Sequence, residues 1–265
     1  MKNYLLLFIL FFPVTAISNE NRFIPDTTVV EQLNDSTLKP FEERGMLRVA
    51  RSAIVPVTMI SVGLMHMDDE GLFEGSRGLR RVVRRHYNDF TTNVDDYIYH
   101  GPVAMAVGLN LAGVHGEHHF TEQAILLGMT HLLNRTITNN LKSITDIKRP
   151  NGTSRDAFPS AHTSTAFAYA TFFHKEYGAR SVWYSIAGYS FATATGAMRI
   201  LNDKHWLSDV LVGAGIGILS AEAVYMIYPL IQEKIAQSHL KKKNLAMMPF
   251  YTNGAGGIAL VYRIL

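Results

Sequence analysis

The stretch 207–234, LSDVLVGAGIGILSAEAVYMIYPLIQEK, is the clearest indication of fold class in this chain. It is long and apolar, and between 210 and 230 only Glu222 carries a charge. Its run from Gly213 to Gly217 does not follow a strand, so we interpret the glycines as small residues for helix packing and not as a nucleotide-binding loop. The stretch predicts one long helix that packs closely against its neighbours.

Five segments upstream of this stretch share its helical character. Their interiors are rich in Ala, Leu, Ile, Met and Gly, and none shows the strict alternation of a half-buried strand. Turn residues such as Pro150-Asn151-Gly152 separate them. We therefore predict an all-α fold, a bundle of about six helices. The upstream segments are 46–66, 97–115, 122–141, 161–176 and 182–198.

Both ends of the chain differ from this helical body. A short positive region at 1–3 is followed by nine apolar residues at 4–12 and then by Pro13, which is typical of a secretory signal. An uncleaved anchor through Ile17 would begin in the same way. At the other end, a glycine-rich run at 252–257 separates two short apolar runs and predicts a β-hairpin. We divide the chain into a signal peptide (1–18), a polar N-terminal arm (19–45), a helical domain (46–240) and a C-terminal hairpin tail (241–265).

The composition excludes several classes of protein and site. Apolar residues make up 48% of the 265 residues and charged residues only 18%, which excludes a disordered chain. There is no cysteine, so disulfides, thiolate zinc sites and thiol nucleophiles are excluded. His115 and His119 have metal-ligand spacing, but Gly116 interrupts the helix between them, and we predict no metal site. The net charge of +3 does not favour a nucleic-acid partner, and we predict none.

The sequence leaves the relation of the helical body to a membrane open. The segment 97–116 contains no Asp, Glu, Lys or Arg, whereas 122–141 carries Arg135 and several amide side chains that suit lipid poorly. A soluble or peripheral bundle and an integral one both fit these patterns. Five arginines lie between Arg77 and Arg85, where they form either a solvated helix face or a surface that attracts anionic lipid headgroups. An anionic membrane surface is therefore one of the partners we consider.

Polar groups that suit phosphate chemistry form three clusters between 142 and 209, each at a helix boundary. If the four helices from 122 onward run antiparallel, all three clusters meet at one end of the bundle. We therefore predict an active site at that end. The clusters are Lys142 with Arg149-Pro150, then Pro159-Ser160-Ala161-His162, then Arg199 with His205 and Asp209.

These residue types in this arrangement indicate phosphate transfer. Three cationic side chains together neutralise a doubly charged anion, and Arg binds oxyanions bidentately. Ser160 stands at an N-cap position, so the amides of Ala161 and His162 open a helix that favours phosphate. His205 and Asp209 are four residues apart, so a carboxylate can hold one imidazole nitrogen and leave the other free as a nucleophile. His162 then remains for proton transfer. Such a site needs no metal and no cofactor.

The spacing of the three clusters resembles the type 2 phosphatidic acid phosphatase superfamily. This superfamily includes bacterial acid phosphatases, lipid phosphate phosphatases and vanadium haloperoxidases, and the resemblance covers about 97–230. Two residues depart from its pattern. Ala161 stands in place of a Gly, which keeps the backbone N–H, and Met198 stands in place of a Ser, which removes one hydroxyl. Neither departure removes a catalytic group.

The resemblance implies a role for each residue of the clusters. His205 corresponds to the nucleophile that becomes phosphohistidine, and Asp209 corresponds to the carboxylate that orients it. His162 corresponds to the acid that protonates the leaving alkoxide and later deprotonates the attacking water. The phosphate-binding residues would be Lys142, Arg149, Ser160, Ala161 and Arg199.

The resemblance and the membrane-like composition together imply a phosphatase of the cell envelope. The expected substrate is a phosphomonoester or diphosphate, with a lipid-borne phosphate favoured over a small soluble ester. The enzyme would be exported, either periplasmic or associated with the inner membrane with its active site facing the periplasm. Three alternatives stay open: a soluble periplasmic acid phosphatase of broad specificity, a vanadium-dependent haloperoxidase, and a non-catalytic scaffold.

Overall fold

The computed structural model describes residues 38–67, 75–88, 90–242, 245–252 and 255–262. The predicted signal peptide and the residues 19–37 of the predicted arm lie outside the described residues. The chain divides into two units, Met1–Arg44 and Gly45–Leu265. In the first unit, the described residues are the opening turns of a helix that begins at Leu38, so the arm is already helical before residue 46.

The described part of the chain contains eight helices followed by two strands. The body is all-helical, which confirms the all-α class predicted for it. The two strands pair antiparallel, with Leu245 opposite Tyr262. In order, the elements are α1 (Leu38–Met65), α2 (Ser76–His86), α3 (Asp95–Ile98), α4 (Gly101–Leu111), α5 (Phe120–Thr145), α6 (Ala161–Tyr177), α7 (Val182–Leu201), α8 (Leu207–Lys242), β1 (Leu245–Thr252) and β2 (Ala255–Tyr262).

Two of the eight helices are additional to the six segments predicted from sequence. The arginine-rich stretch forms its own helix, α2. The predicted segment 97–115 begins inside the short α3, and α4 starts separately at Gly101. Pro102 explains this second start, because proline lacks the N–H of a helix interior and is tolerated in a first turn. The six predicted segments otherwise correspond to α1 and α4 to α8.

Helix α6 lies at the centre of the body, in contact with α4, α5, α7 and α8. It is buried on most sides, as expected of a helix with apolar residues all round. Near its C-terminus, Phe172 and Phe173 pack with Leu126 of α5 and Val224 of α8. Nearer its N-terminus, Phe167 packs in a second cluster with residues of α7 and α8. The core therefore fixes the position of both ends of α6.

The glycine run of α8 lets that helix approach its neighbours closely. A Cβ atom on Gly217 would lie 2.1 Å from the carbonyl oxygen of Ser164, and one on Gly213 would lie 2.8 Å from that of Ser160. A Cβ on Gly215 would meet α1, 2.6 Å from the carbonyl oxygen of Pro56. The close packing predicted from these small residues is confirmed. It brings the N-terminus of α8 beside the N-terminus of α6, where the Ser160 N–H donates to the Asp209 carbonyl oxygen (3.0 Å).

Within the described residues, one segment, Leu207–Ile235, is long and apolar enough to cross a membrane. Most of it is buried inside the protein, where it packs against α5 and α6. Its apolar character is therefore accounted for by its place in the core.

Candidate active site

The three predicted clusters meet at one end of the body, where α5 and α7 end and α6 and α8 begin. The loop between α5 and α6 joins them. Its Asp156 accepts a hydrogen bond from Arg149 Nη2 (2.9 Å), and its Ala157 carbonyl accepts one from His205 Nδ1 (2.8 Å). Lys142 Nζ donates to the backbone carbonyl of Asp156. The antiparallel arrangement predicted from sequence thus brings these residues together.

His205 is buried, with only 3% of its surface exposed, and both of its ring nitrogens have partners. Nε2 lies 3.3 Å from Arg199 Nη2. A guanidinium can only donate, so we assign the lone pair to Nε2 and the proton to Nδ1. Burial lowers the pKa of His205 well below its usual value, and the charge of Arg199 adds to this effect. The imidazole is therefore neutral, and Nε2 carries its free lone pair.

The partner of His205 Nδ1 differs from the sequence prediction. Asp209 Oδ2 lies 3.4 Å from Nδ1, too far for a strong hydrogen bond, whereas the Ala157 carbonyl oxygen is at 2.8 Å. Asp209 Oδ2 instead accepts from the backbone N–H of Trp206 (2.8 Å) at the start of α8. The Ala157 carbonyl thus accepts the hydrogen bond from His205 Nδ1, and the Asp209 carboxyl group lies next to the ring without a strong hydrogen bond to it.

Asp209 is a buried carboxyl group whose charge depends on its neighbours. Burial raises its pKa to about 7, while the Trp206 N–H and the charges of Lys142 and Arg149 act against this shift. A positive charge on the adjacent imidazole would favour the carboxylate further. Asp209 is therefore suited to stabilise His205 when that ring becomes cationic.

Arg199 is held by a carboxylate that sequence reasoning missed. Asp95 of α3 is fully buried, and its Oδ2 accepts from Arg199 Nη1 (2.7 Å) while its Oδ1 accepts from Asn202 Nδ2 (3.0 Å). This buried ion pair between Asp95 and Arg199 fixes the guanidinium in one orientation. Its Nε is buried without a hydrogen-bond partner among the described residues. Such a donor suits an oxyanion.

His162 also has an unpredicted carboxylate partner. Its Nε2 lies 3.0 Å from Asp96 Oδ1, and the same oxygen lies 3.5 Å from Arg199 Nη1. Burial and the charge of Arg199 lower the pKa of His162 to about 4, while Asp96 and Asp95 act to raise it. The acidic pair that opens the short helix α3 was the sequence signal that could have found Asp95 and Asp96.

The cationic side of the site comes from the end of α5 and the loop after it. Asp146 ends α5 in a left-handed conformation (φ 47°), which turns the chain toward Arg149. Burial lowers the pKa of Lys142, although the neighbouring Asp156 opposes this. Arg149 and Lys142 both contact Asp156, one through its carboxylate and the other through its carbonyl. Asp156 therefore holds two of the three cations in place.

The N-terminus of α6 completes the site. Ser160 is the N-cap, as predicted: its Oγ accepts from the Thr163 N–H (3.4 Å) and lies 2.9 Å from Thr163 Oγ1. Ser160 is fully buried, so its hydroxyl is engaged within the helix cap. The first amides of a helix have no intrahelical acceptor, which leaves the N–H groups of Ala161 and His162 as donors.

The histidines of the 115–119 stretch lie far from this site. His118 Nδ1 lies 2.9 Å from Glu176 Oε1, near the C-terminal end of α6. His162 and Glu176 are separated by about 21 Å along that helix, at 1.5 Å per residue. No group of three or more His, Asp or Glu side chains that could hold a metal ion occurs in the part of the chain that the structure describes.

Two solved structures show similarity to this chain. One is the crystal structure of Aquifex aeolicus LpxE, with 22% identity and a TM-score of 0.41, covering 55% of this chain and 93% of that one. The other is a transmembrane PAP2 type phosphatidylglycerolphosphate phosphatase from Bacillus subtilis, with 18% identity and a TM-score of 0.49, covering 67% of this chain and 97% of that one.

Sequence comparisons identify the region that holds the site. A lipid A 1-phosphatase from Porphyromonas gingivalis is 59% identical over 83 residues, which are 31% of this chain and 19% of that protein. The chain thus spans a small part of that relative's length. Residues 131–233 match the PAP2 superfamily, the superfamily of type 2 phosphatidic acid phosphatases that the cluster spacing resembles. The matched region contains all three clusters.

Proposed function

We propose that this protein is a phosphatase that hydrolyses a lipid-borne phosphomonoester through a phosphohistidine intermediate on His205. The observation that carries the proposal is the environment of His205. Its Nδ1 is held by the Ala157 carbonyl, and its Nε2 faces Arg199 among three cationic side chains. A neutral imidazole held in this way is a nucleophile aimed at a bound anion.

The substrate phosphate binds among the cations and the first amides of α6. Lys142, Arg149 and Arg199 supply charge, and the N–H groups of Ala161 and His162 add directed donors. These groups are already in place through their contacts with Asp95 and Asp156, so little reorganisation accompanies charge development in the transition state.

In the first step, His205 Nε2 attacks phosphorus as the bond from phosphorus to the ester oxygen breaks. The phosphorylated imidazole becomes cationic, with its Nδ1–H between the Ala157 carbonyl and Asp209. The leaving alkoxide takes a proton from His162. The negative charge of the bound phosphate raises the pKa of this histidine from its low value in the free site, which makes it available as an acid.

In the second step, water attacks phosphorus and the bond to His205 breaks. His162, now neutral, accepts the proton of the water. Phosphate leaves, and both histidines return to their starting states. The two steps need no metal, because the three cations and the helix amides balance the charge of the phosphoryl group.

The lipid nature of the substrate is supported by the lipid A 1-phosphatase with which this chain shares 83 aligned residues. Large apolar side chains exposed on the outside of the body also favour a membrane-associated enzyme, among them Leu132 and Trp183. On sequence grounds, we propose that the protein is exported. We also propose that the chain consists of a signal peptide (1–18), an N-terminal arm (19–45), a helical domain (46–240) and a C-terminal tail (241–265). The active site would face the periplasm.

The phosphohistidine is tested by trapping it. The parent enzyme, mixed with a radiolabelled phosphate ester and quenched in denaturant, should carry an acid-labile, base-stable label. His205→Ala should carry none and should not turn over, while His86→Ala, which removes an exposed histidine of α2, should be labelled like the parent. Turnover by a folded His205→Ala variant at the parental rate would exclude this mechanism.

A further inference from the structure

A cleft of about 780 Å³ lies beside the candidate active site, and arginines of α2 form one wall. We call it the α2 cleft. The opposite wall comes from the connection between α7 and α8, whose His205 is the proposed nucleophile. The residues that line the α2 cleft include Arg77, Arg80, Arg81, Arg84, Asp203 and Trp206.

The sequence of α2 places these four arginines on one face. They recur at intervals of three and four residues, which is the spacing of neighbours on a helix surface. Like charges at this spacing destabilise a helix unless an anion lies between them. Helix α2 has no acidic residue in its first turn. The arrangement is therefore unfavourable for a purely structural helix and favourable for one that binds an anion.

Helix α2 is fixed to the active-site end of the body. Arg80 makes two hydrogen bonds of 2.7 Å to the carboxylate of Asp203, and its guanidinium lies 5.7 Å from the centre of the Trp206 ring. The Ser208 N–H of α8 donates to Ser76 Oγ (3.1 Å). These contacts hold the arginine face toward the site.

The contacts also leave an excess of positive charge in the α2 cleft. Asp203 neutralises Arg80. Arg81 makes no ion pair or hydrogen bond within the described ranges, and Arg84 makes a long contact of 3.5 Å from Nη1 to the Tyr87 carbonyl oxygen. Arginine in such a position suits a phosphate oxygen, which its planar fork can bind through two N–H groups.

The α2 cleft continues toward the phosphate site. A second cleft, of about 510 Å³, shares Arg77 and Trp206 with it. This second cleft is also lined by Arg149 and Asp209 of the candidate active site. A molecule whose phosphate lies among Lys142, Arg149 and Arg199 therefore has a route along which another part of it, or of its neighbour, reaches the α2 arginines.

We propose that the α2 cleft is a second anion-binding subsite, which takes a phosphate group other than the one being hydrolysed. This deepens the function proposed above and rests on it. The second phosphate belongs either to the same amphiphilic substrate molecule or to the headgroup of a neighbouring lipid. In both cases the recognising chemistry is the same, a phosphate oxygen against the guanidinium groups of Arg81 and Arg84.

The test measures binding in a His205→Ala background, so that the ligand is not consumed. The probes are a synthetic amphiphile with one phosphate monoester and the same amphiphile with two, both in neutral detergent micelles. A third arm places the one-phosphate amphiphile in micelles that contain phosphatidylglycerol. Calorimetric Kd values are compared between the background, its Arg81→Gln/Arg84→Gln derivative, and an Arg85→Gln control on the same helix but outside the cleft.

Arg81→Gln/Arg84→Gln should raise the Kd about fivefold or more for a probe that offers two anions, which is either the two-phosphate amphiphile or the one-phosphate amphiphile in phosphatidylglycerol micelles. This increase is measured relative to the effect of the same substitutions on the Kd of the one-phosphate amphiphile in neutral micelles. Its size is that expected for half-exposed cations. An effect on the two-phosphate amphiphile assigns the second phosphate to the substrate itself. An effect confined to the phosphatidylglycerol arm assigns it to a neighbouring lipid. Equal changes in all three arms, no change in any, or the same changes with Arg85→Gln would overturn the subsite.

A second measurement needs no substituted arginine. Binding of the two-phosphate amphiphile should weaken more steeply with added salt than binding of the one-phosphate amphiphile. Parallel salt dependences of the two probes would count against the subsite. Hydrolysis of the one-phosphate amphiphile by the parent enzyme is assayed separately, and its absence would contradict the proposed phosphatase while leaving the binding result to stand by itself.

Discussion

The two histidines of the site have opposite surroundings. His205 is buried against a backbone carbonyl, with a carboxylate behind it, while His162 is partly exposed and contacts Asp96, whose side chain is 42% exposed. The first arrangement keeps a neutral ring in one tautomer, as a nucleophile requires. The second allows a ring to gain and lose a proton, as an acid and base requires. We therefore infer that Asp96 acts through His162 as a positioning residue.

Asp96→Asn should slow hydrolysis of an alkyl phosphate by on the order of tenfold, part of the roughly 10²–10⁴-fold that a general acid supplies. The carboxylate raises the pKa of His162, so its removal lowers that pKa further and leaves less acid at a given pH. The high-pH limb of the kcat profile should therefore move to lower pH. The shift should be under about one unit, because Asp96 is partly exposed to solvent.

A double-mutant cycle separates this role from a structural one. In a His162→Ala background, Asp96→Asn should cause no further loss on the alkyl phosphate. Hydrolysis of p-nitrophenyl phosphate, whose leaving group needs less protonation, should respond much less to Asp96→Asn alone. If Asp96→Asn instead lowers KM and leaves kcat and its pH profile unchanged, Asp96 competes with phosphate for Arg199 and does not act through His162.

The geometry of the site depends on how closely α8 packs against α6. These two helices carry His162 and Asp209, and the glycines between them allow backbone contact. A Cβ on Gly217 would lie 2.1 Å from the Ser164 carbonyl oxygen, which belongs to the backbone and cannot rotate away. A Cβ on Gly128 of α5 would have nothing within 4 Å. A Gly→Ala substitution can therefore be compared at a tightly packed helix position, Gly217, and at an open one, Gly128.

Gly217→Ala should lower the free energy of unfolding by about 2 kcal/mol or more, as overpacking of a tight core does. It should also reduce phosphatase activity, because separation of α6 from α8 displaces His162, the proposed acid, from His205, the proposed nucleophile. Gly128→Ala should raise the free energy of unfolding by about 0.5–1 kcal/mol, since alanine is the better helix former. Thermal unfolding of both variants in the same detergent checks the signs. Equal stability of the two variants would be inconsistent with the packing described here.

The sequence predicts most of the helical body and the residues at the end that holds the candidate site. Motif spacing and helix boundaries suffice for this, because each cluster is local and the antiparallel order of helices brings the clusters together. The contacts that hold the clusters are not local. Asp95 and Arg199 are 104 residues apart, and Arg80 and Asp203 are 123 apart. The Ala157 carbonyl belongs to the backbone and has no signature in residue type. Such partners follow only from the packed structure.

The outer surface of the body carries exposed apolar side chains that bear on how the protein associates with membranes. Leu111, Leu132 and Trp183 expose 85%, 67% and 72% of their surfaces, on three different helices. Apolar surface of this extent favours a hydrocarbon environment over water. We expect the full chain to sediment with membranes and to stay there in about 1 M NaCl, where the Debye length is about 3 Å and contacts through the α2 arginines are screened. Detergent should release it in active form. Release by salt alone would show that the arginines, and not the apolar surface, hold the protein at the membrane.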